Sequence, residues 1–120
     1  MNIEELRLYC IAKKAVTESF PFDEDTLVFK VMGKMFALIS ISESDSVNLK
    51  CDPEYAIELR EKYTSVRAGF HMNHKHWNTV LLNDDASDKL IYQLIDHSYE
   101  LVIKGFTKKL RLEYEQFNDQ

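Results

Sequence analysis

The stretch Leu27–Ile41 reads LVFKVMGKMFALISI, and it decides the fold class. Valine, isoleucine and phenylalanine are abundant in it, and these residues are typical of β-strands. Gly33 and Lys34 divide the stretch, and a glycine at the first central position suits a two-residue turn of type II′. We therefore predict a β-hairpin with strands Leu27–Met32 and Met35–Ile41.

Three further strands are predicted along the chain. Apolar and polar residues alternate over Val47–Cys51, which is typical of a half-buried strand. Val66–Met72 and Trp77–Asn83 are predicted to form a second hairpin, with a polar turn between them. Runs of strands joined by short turns imply an antiparallel sheet, here of about five strands.

Three helices are predicted, each with its own start signal. The signals are an asparagine with a glutamate three residues later, an aspartate followed by proline, and an acidic run that contains a serine. The helices cover Asn2–Thr17, Asp52–Tyr63 and a long final segment from about Asp84 to Phe117. We expect them to cover one face of the sheet, which gives a two-layer α+β domain over residues 1–120 with the other face partly open.

Composition limits the class of protein. The chain has 120 residues, of which 45% are hydrophobic and 29% charged, as in a globular domain. No apolar run approaches the roughly 20 residues of a membrane span, and the acidic start lacks the features of a secretory signal, so a cytoplasmic location is expected. Cys10 and Cys51 lie in no zinc or redox spacing, and we predict two reduced thiols packed in the core.

Charge argues against strong phosphate binding by the whole chain. The formal net charge is -5, the wrong sign for a nucleic-acid partner. The excess acid lies in the terminal segments, however, because Leu27–Asn83 carries seven basic and six acidic residues. The predicted sheet is therefore close to neutral.

The stretch Gly69–Val80, GFHMNHKHWNTV, carries the most candidate functional side chains. It contains three of the four histidines and the single tryptophan, next to a lysine and two asparagines. So many polar and planar groups are unusual for a buried strand, and we predict a hairpin tip that points toward water or a partner. A single tryptophan near a strand start is also typical of core packing, so a structural role for Trp77 stays open.

Six segments resemble the bacterial MmcQ/YjbR family in order and spacing. They are Phe20–Phe22, Val31–Ala37, Leu49–Pro53, Gly69–Asn73, His76–Val80 and Ser98–Val102. The resemblance implies a fold like that of bacterial frataxin, the CyaY-like fold, and a DNA-binding role through a double-wing motif. By family pattern, it points to Gly33, Lys34, Lys50, His71, Asn73, His76, Trp77 and Asn78. His74 departs from the pattern, since the family more often has lysine there, and this removes a fixed positive charge from the proposed contact loop.

The principal functional prediction is thus a non-enzymatic DNA-binding protein that uses the open sheet face and the hairpin tips. Lysine and arginine would contact phosphates, histidine and asparagine would donate to phosphates or base edges, and an exposed tryptophan would stack on a base. The predicted contact residues are Lys34, Lys50, Arg67, His71, Asn73, His74, Lys75, His76, Trp77 and Asn78. No cofactor, membrane or small-molecule substrate is predicted.

Alternatives of other classes remain at this point. One is a protein-binding or metal-binding adaptor on the same scaffold, with His71, His74 and His76 as metal ligands. Iron binding through acidic residues such as Glu4 and Glu18 is a related hypothesis. An enzyme is not predicted, because the chain has no glycine-rich phosphate loop, no nucleophile elbow and no cysteine with a candidate base.

Overall fold

The computed structural model describes residues 1–69 and 72–117. Within this part of the chain, six strands and four helices follow one another in the order below. The elements are α1 Ile3–Ile11, β1 Val16–Ser19, β2 Thr26–Val31, β3 Lys34–Ser40, β4 Ser46–Lys50, α2 Pro53–Lys62, β5 Val66–Ala68, β6 Trp77–Leu81, α3 Asp88–Lys104 and α4 Lys108–Gln116.

The six strands form one antiparallel sheet with the order β1-β2-β3-β4-β6-β5. Helix α3 packs across β2, β3 and β4, while α1 contacts β1 and α2 contacts β5. The main core lies between the helices and the sheet, with Phe29, Phe36, Ile91 and Ile95 at its centre. The α+β architecture with helices on one face is therefore confirmed. No helix in the described residues is long and apolar enough to span a bilayer.

The first predicted helix is wrong in its C-terminal half. Asn2 caps α1 as predicted, since its side chain accepts from the Glu5 backbone N–H at 2.8 Å. The helix ends at Ile11, however, and Ala15 adopts a positive φ of 62° that redirects the chain. The following residues form strand β1, which sequence reasoning missed. The sheet therefore gains a sixth strand at one edge.

The last predicted helix is two helices. Helix α3 ends at Gly105, and Thr107 starts α4 by accepting a hydrogen bond from the Leu110 backbone N–H at 3.1 Å. Helix α4 then folds back on α3, where the hydroxyl groups of Tyr99 and Tyr114 lie 2.9 Å apart. Gly105, a weak helix former, thus ends α3, and Thr107 begins α4 as its N-terminal cap.

The turn of the first hairpin lies one residue earlier than predicted. Val31 pairs with Lys34, so Met32 and Gly33 are the two loop residues. Their φ angles are 51° and 81°, and two positive φ angles are the property of a type I′ turn, not of type II′. Lys34 is consequently the first residue of β3 and not part of the turn.

Both cysteines are free and buried, as predicted. Burial raises the pKa of Cys10 and of Cys51 to about 12. A thiol that stays protonated at neutral pH is a poor nucleophile and metal ligand. The two residues therefore serve as small apolar groups in the core.

Candidate functional site

The face of the sheet opposite the helices displays its side chains in rows that the strand register defines. A central row crosses five strands, since each member pairs with the next in the ladder. It consists of Val28, Leu38, Asn48, Thr79 and Arg67. The row passes from apolar residues on β2 and β3 to polar residues on β4 and β6 and a cation on β5. The Thr79 hydroxyl donates to the Asn48 side-chain oxygen within it.

A second row, here called the basic row, lies toward one end of the strands. Lys30 pairs with Met35, and Lys50 pairs with Trp77. Lys34 pairs with Val31, a residue of the main core, so its side chain leaves the sheet on the helix side, beside the end of this row. Lys75 lies in the loop before β6. Cations from three strands and a loop are thus brought to one end of the sheet, two of them on the open face and two at its rim.

The other end of the open face is acidic. An open trough of about 710 Å³ runs over the face, and Asp23, Asp25, Glu43 and Asp45 line it there. Asp23 accepts hydrogen bonds from the backbone N–H groups of Asp25 and Thr26, and these bonds lower the pKa of its carboxyl. A hydrogen bond from the Ser40 hydroxyl and one from the Ser42 N–H lower the pKa of Asp25. Charge is therefore segregated along the strand direction.

Trp77 is mostly buried and packs against neighbouring side chains of the open face. It is only 8% exposed and forms a small cluster with Val28 and Leu38, against which Met35 and Met72 pack. A β-carbon added at Gly69 would lie 2.9 Å from the Trp77 Cβ, so the close approach of the two strands depends on glycine. This burial favours the packing role of Trp77, and base stacking by its ring stays a prediction.

Asn78 is also withdrawn from the open face. It is 2% exposed and lies on the helix-covered side, where Arg60 of α2 donates from Nε to its side-chain oxygen at 2.7 Å. The Nη2 of Arg60 donates to the backbone carbonyl of His74 as well. Arg60 thereby ties α2 to the loop before β6. No sequence pattern signals this role of Arg60, because the contact joins residues 18 positions apart.

The loop between β5 and β6 presents the remaining predicted residues in different ways. His74 and Lys75 are exposed and His76 is half-buried. The Asn73 side chain accepts from the Lys75 N–H at 2.9 Å, so its oxygen is used to build the turn. His71 lies outside the described residues.

The cations of the open face have no acidic partner in the part of the chain that the structure describes. Among the described residues, salt bridges form only at the N-terminal amine, Arg7 and Lys13, and all of these lie on the helix side or at its edge. The unpaired cations are Lys30, Lys50 and Arg67 on the face and Lys34 and Lys75 at its rim. No described carboxylate forms an ion pair with them, so each can interact with an external anion.

Residues 1–69 and 72–117 contain no group of three or more histidine, cysteine or carboxylate side chains that could hold a metal ion. Because His71 is not among them, binding of a metal by His71, His74 and His76 stays a prediction. Glu18 is engaged by Arg7 at 2.7 Å and is not a free ligand.

One buried residue of the helix face shapes the basic row. The pairing of β3 with β4 ends at Ala37 and Leu49, although a continued register would place Phe36 opposite Lys50. At that position the Ser98 hydroxyl of α3 accepts from the Lys50 N–H at 2.9 Å and donates to the Phe36 carbonyl at 2.5 Å. A β-bulge at Phe36 accompanies this separation of the two strands. No sequence pattern signals this role of Ser98, because its two partners lie 48 and 62 positions away in the chain.

Comparison with known proteins identifies the family. A family model described as YjbR matches residues 11–101. The chain belongs to the YjbR family. The resemblance in six sequence segments is thereby confirmed, and the YjbR family match includes every residue of the open face described above.

Relatives in the YjbR family share most of their length with this chain. It is 36% identical over 112 residues to the uncharacterized protein YjbR of Escherichia coli K12, which covers 92% of this chain and 95% of the relative. It is 33% identical over 75 residues to the uncharacterized protein YyaQ of Bacillus subtilis, covering 62% of this chain and 63% of the relative.

Two solved structures of similar proteins share the fold. The Deinococcus radiodurans protein DR2400, a DUF419 domain, matches with a TM-score of 0.86 and 42% identity, over 94% of this chain and 87% of DR2400. A Pseudomonas syringae protein matches with a TM-score of 0.73 and 30% identity, over 84% of this chain and 98% of its own. The YjbR family architecture described here is thus shared with experimentally determined relatives.

Proposed function

We propose that this YjbR family protein binds nucleic acid, and DNA in particular, without catalysing a reaction. The contact surface is the open sheet face with the β2–β3 hairpin and the β5–β6 loop as two flanking wings. The observation that carries this proposal is the set of five cations on that surface and at its rim that lack an acidic partner among the described residues. Cations without an internal partner attract phosphates. No ion pair within the protein has to break before they bind one.

The charge pattern sets the path of the bound strand. The acidic end of the trough repels phosphates. The nucleic-acid backbone therefore follows the basic row across the β-strands and does not run parallel to the β-strands. From Lys30 on β2 to Trp77 on β6 the row spans three interstrand spacings, or roughly 14 Å. A strand on this path meets Lys30 or Lys34 first, Lys50 in the middle and Lys75 or Arg67 last.

Phosphate contacts supply most of the affinity in this arrangement. Met35 and the Asn48 side chain lie between the cations, where a base can contact an apolar side chain or an amide. Asn78 supports the surface from beneath and contacts no base. With few base contacts, we expect weak discrimination between sequences.

The test measures binding of a labelled 20-nucleotide single strand and its duplex by fluorescence anisotropy between 20 and 200 mM salt. If all five cations engage, log Kd should change with log salt by roughly 3.5 for the single strand and 4.5 for the duplex. Lys34→Ala and Lys75→Ala should each reduce that slope by about 0.7 to 0.9. Lys89→Ala, an exposed lysine at the start of α3, is the matched control and should leave the slope unchanged. Absence of binding by both oligonucleotides at 20 mM salt would refute the proposal.

A second candidate function, a protein-binding adaptor, rests on a different surface. Phe20, Phe22 and Ile41 are exposed by 48%, 65% and 43%. Phe22 lines the acidic end of the trough. Exposed apolar groups beside carboxylates fit an amphipathic basic segment of a partner. A synthetic peptide rich in leucine and lysine should bind the wild type and lose at least tenfold in affinity on Phe20→Ser/Phe22→Ser. Equal binding by the variant and the wild type would exclude this surface.

A further inference from the structure

The separation of β3 from β4 opens a groove at the basic end of the molecule. The Ser98 hydroxyl occupies the position of a direct hydrogen bond between the two strands, which holds the backbone of Lys50 away from Phe36. The last turn of α3 therefore faces the gap between the strands. The resulting lysine groove has a volume of about 340 Å³ and is lined by Lys34, Met35, Lys50, Trp77, the last turn of α3, Gly105 and Phe106.

The chemistry of the lysine groove is unusual for a surface depression. Its two charged groups are both cationic, and no acidic residue belongs to its lining among the described residues. Neither lysine takes part in any of the salt bridges of the described chain. The rest of the lining is apolar and includes two aromatic residues, Trp77 and Phe106.

We propose that the lysine groove binds a small organic anion that carries one carboxylate or phosphate head on a compact apolar body. The head lies between the amines of Lys34 and Lys50, and the body lies against Met35, Trp77 and Phe106. The volume is at the lower end of the range of roughly 300 to 1,000 Å³ that is usual for small-molecule sites. This inference does not depend on nucleic-acid binding, although the two ligands would share Lys34 and Lys50.

Charge complementarity and apolar area favour a small organic anion over an inorganic anion or a neutral apolar molecule. An inorganic anion satisfies the lysines but leaves the apolar lining in contact with water. A neutral apolar molecule covers the lining but leaves both amines without a partner. Only a ligand with both parts uses the whole groove, and we expect it to bind at least tenfold more tightly than either simpler one.

A substitution at Gly105 can fill the groove with a side chain and leave the charges of Lys34 and Lys50 in place. Its φ is -84°, which any residue adopts. A β-carbon there would meet the Val102 carbonyl at 3.5 Å and the Leu101 carbonyl at 3.7 Å, which are ordinary contacts. Gly105→Leu should therefore fold normally and occupy the space of the ligand body, while Gly105→Ala adds one methyl group and should have a smaller effect.

The experiment follows the fluorescence of Trp77, the single tryptophan, during titration with octanoate, phenyl phosphate, inorganic phosphate and 1-octanol. Octanoate or phenyl phosphate, or both, should give a saturable change, and comparison of the two identifies the preferred head and body. Gly105→Leu and Lys34→Ala/Lys50→Ala should each weaken that binding at least tenfold. Lys89→Ala/Lys109→Ala, two exposed lysines on α3 and α4, removes the same charge and should leave binding within twofold of the wild type.

The proposal is overturned if neither organic anion gives a saturable change up to 10 mM, or if Gly105→Leu binds them as the wild type does. It is also overturned if inorganic phosphate binds as tightly as phenyl phosphate and octanoate. Gly105→Leu should keep oligonucleotide affinity within threefold, since it leaves all five cations in place. If the protein binds octanoate or phenyl phosphate but no oligonucleotide, the proposed function is refuted and the proposal for the groove is not. If it binds oligonucleotides but neither organic anion, only the proposal for the groove is refuted.

Discussion

The hydroxyl of Ser98 takes the place of a hydrogen bond between two strands. It is fully buried, and it accepts a hydrogen bond from a backbone N–H of β4 while it donates one to a backbone carbonyl of β3. Alanine would leave both groups buried and unpaired, because the strands are already too far apart to bond directly. A single side chain thus sets the spacing of β3 and β4 and, with it, the width of the lysine groove.

We predict that Ser98→Ala lowers the free energy of unfolding by about 1 to 3 kcal/mol, the usual cost of a buried polar group without a partner. Urea denaturation followed by the fluorescence of Trp77 measures the change. Ser19→Ala, at an exposed position of β1, is the matched control and should stay within about 0.5 kcal/mol of the wild type. If the two variants lost the same stability, Ser98 would not bridge the strands.

At the scale of elements, two contacts fix α2 in its place. Arg60 ties its C-terminal half to the loop before β6. At its N-terminus, the Asp52 backbone N–H donates to Nε2 of His97 on α3 at 3.1 Å, and the Tyr55 ring packs edge-on against the same imidazole. Nε2 accepts only in the neutral imidazole, so this contact between α2 and α3 requires an uncharged His97.

Burial lowers the pKa of His97 below its ordinary 6.5, although the nearby carboxylates of Asp52 and Glu100 act in the opposite direction. The unfolded chain therefore binds a proton more readily than the folded one. The stabilisation from neutral His97 is complete above pH 6.5 and decreases as the pH falls toward the lowered pKa of the folded state.

We expect the loss of unfolding free energy between pH 7.5 and 5 to be smaller in His97→Gln than in the wild type. Urea denaturation at the two pH values measures it. His74→Gln, at an exposed loop position, should retain the wild-type pH dependence. A His97→Gln profile parallel to that of the wild type would contradict the role of the Asp52–His97 contact.

At the scale of the whole molecule, charge is arranged as a gradient along the strands. The basic row and the loop lysine lie at one end of the open face, and carboxylates lie at the other, while the net charge is -5. An anionic polymer therefore meets attraction and repulsion on the same surface. Its affinity depends on the balance of the two ends and not on the net charge alone.

We predict that Glu43→Gln/Asp45→Asn, which changes the net charge from -5 to -3, raises oligonucleotide affinity about threefold at 20 mM salt. Fluorescence anisotropy measures this change. Glu113→Gln/Glu115→Gln on α4 removes the same charge away from the open face and should have a smaller effect. An equal gain from both pairs would show that location is unimportant and would contradict the gradient.

Much of the fold was predictable because its signals are local. The hairpin within Leu27–Ile41, the caps at Asn2, Asp52 and Ser87, and the alternation in β4 each depend on residues a few positions apart. The failures were local as well. The first helix ends at Ile11, and a positive φ at Ala15 that no sequence pattern announces turns the chain into β1. The last helix divides where Gly105 ends α3 and Thr107 caps α4.

The sequence by itself determined the α+β class, the core cysteines, the near-neutral charge of the sheet segment and membership of a recognisable family, since composition, periodicity and ordered motifs carry that information. Only the tertiary structure decided which of the chosen residues are available to a partner. Trp77 and Asn78 are adjacent and therefore point to opposite faces of β6, where Met35 and Met72 pack against one and Arg60 holds the other. Burial of this kind depends on residues distant in the chain, as does the bridge that Ser98 makes between β3 and β4.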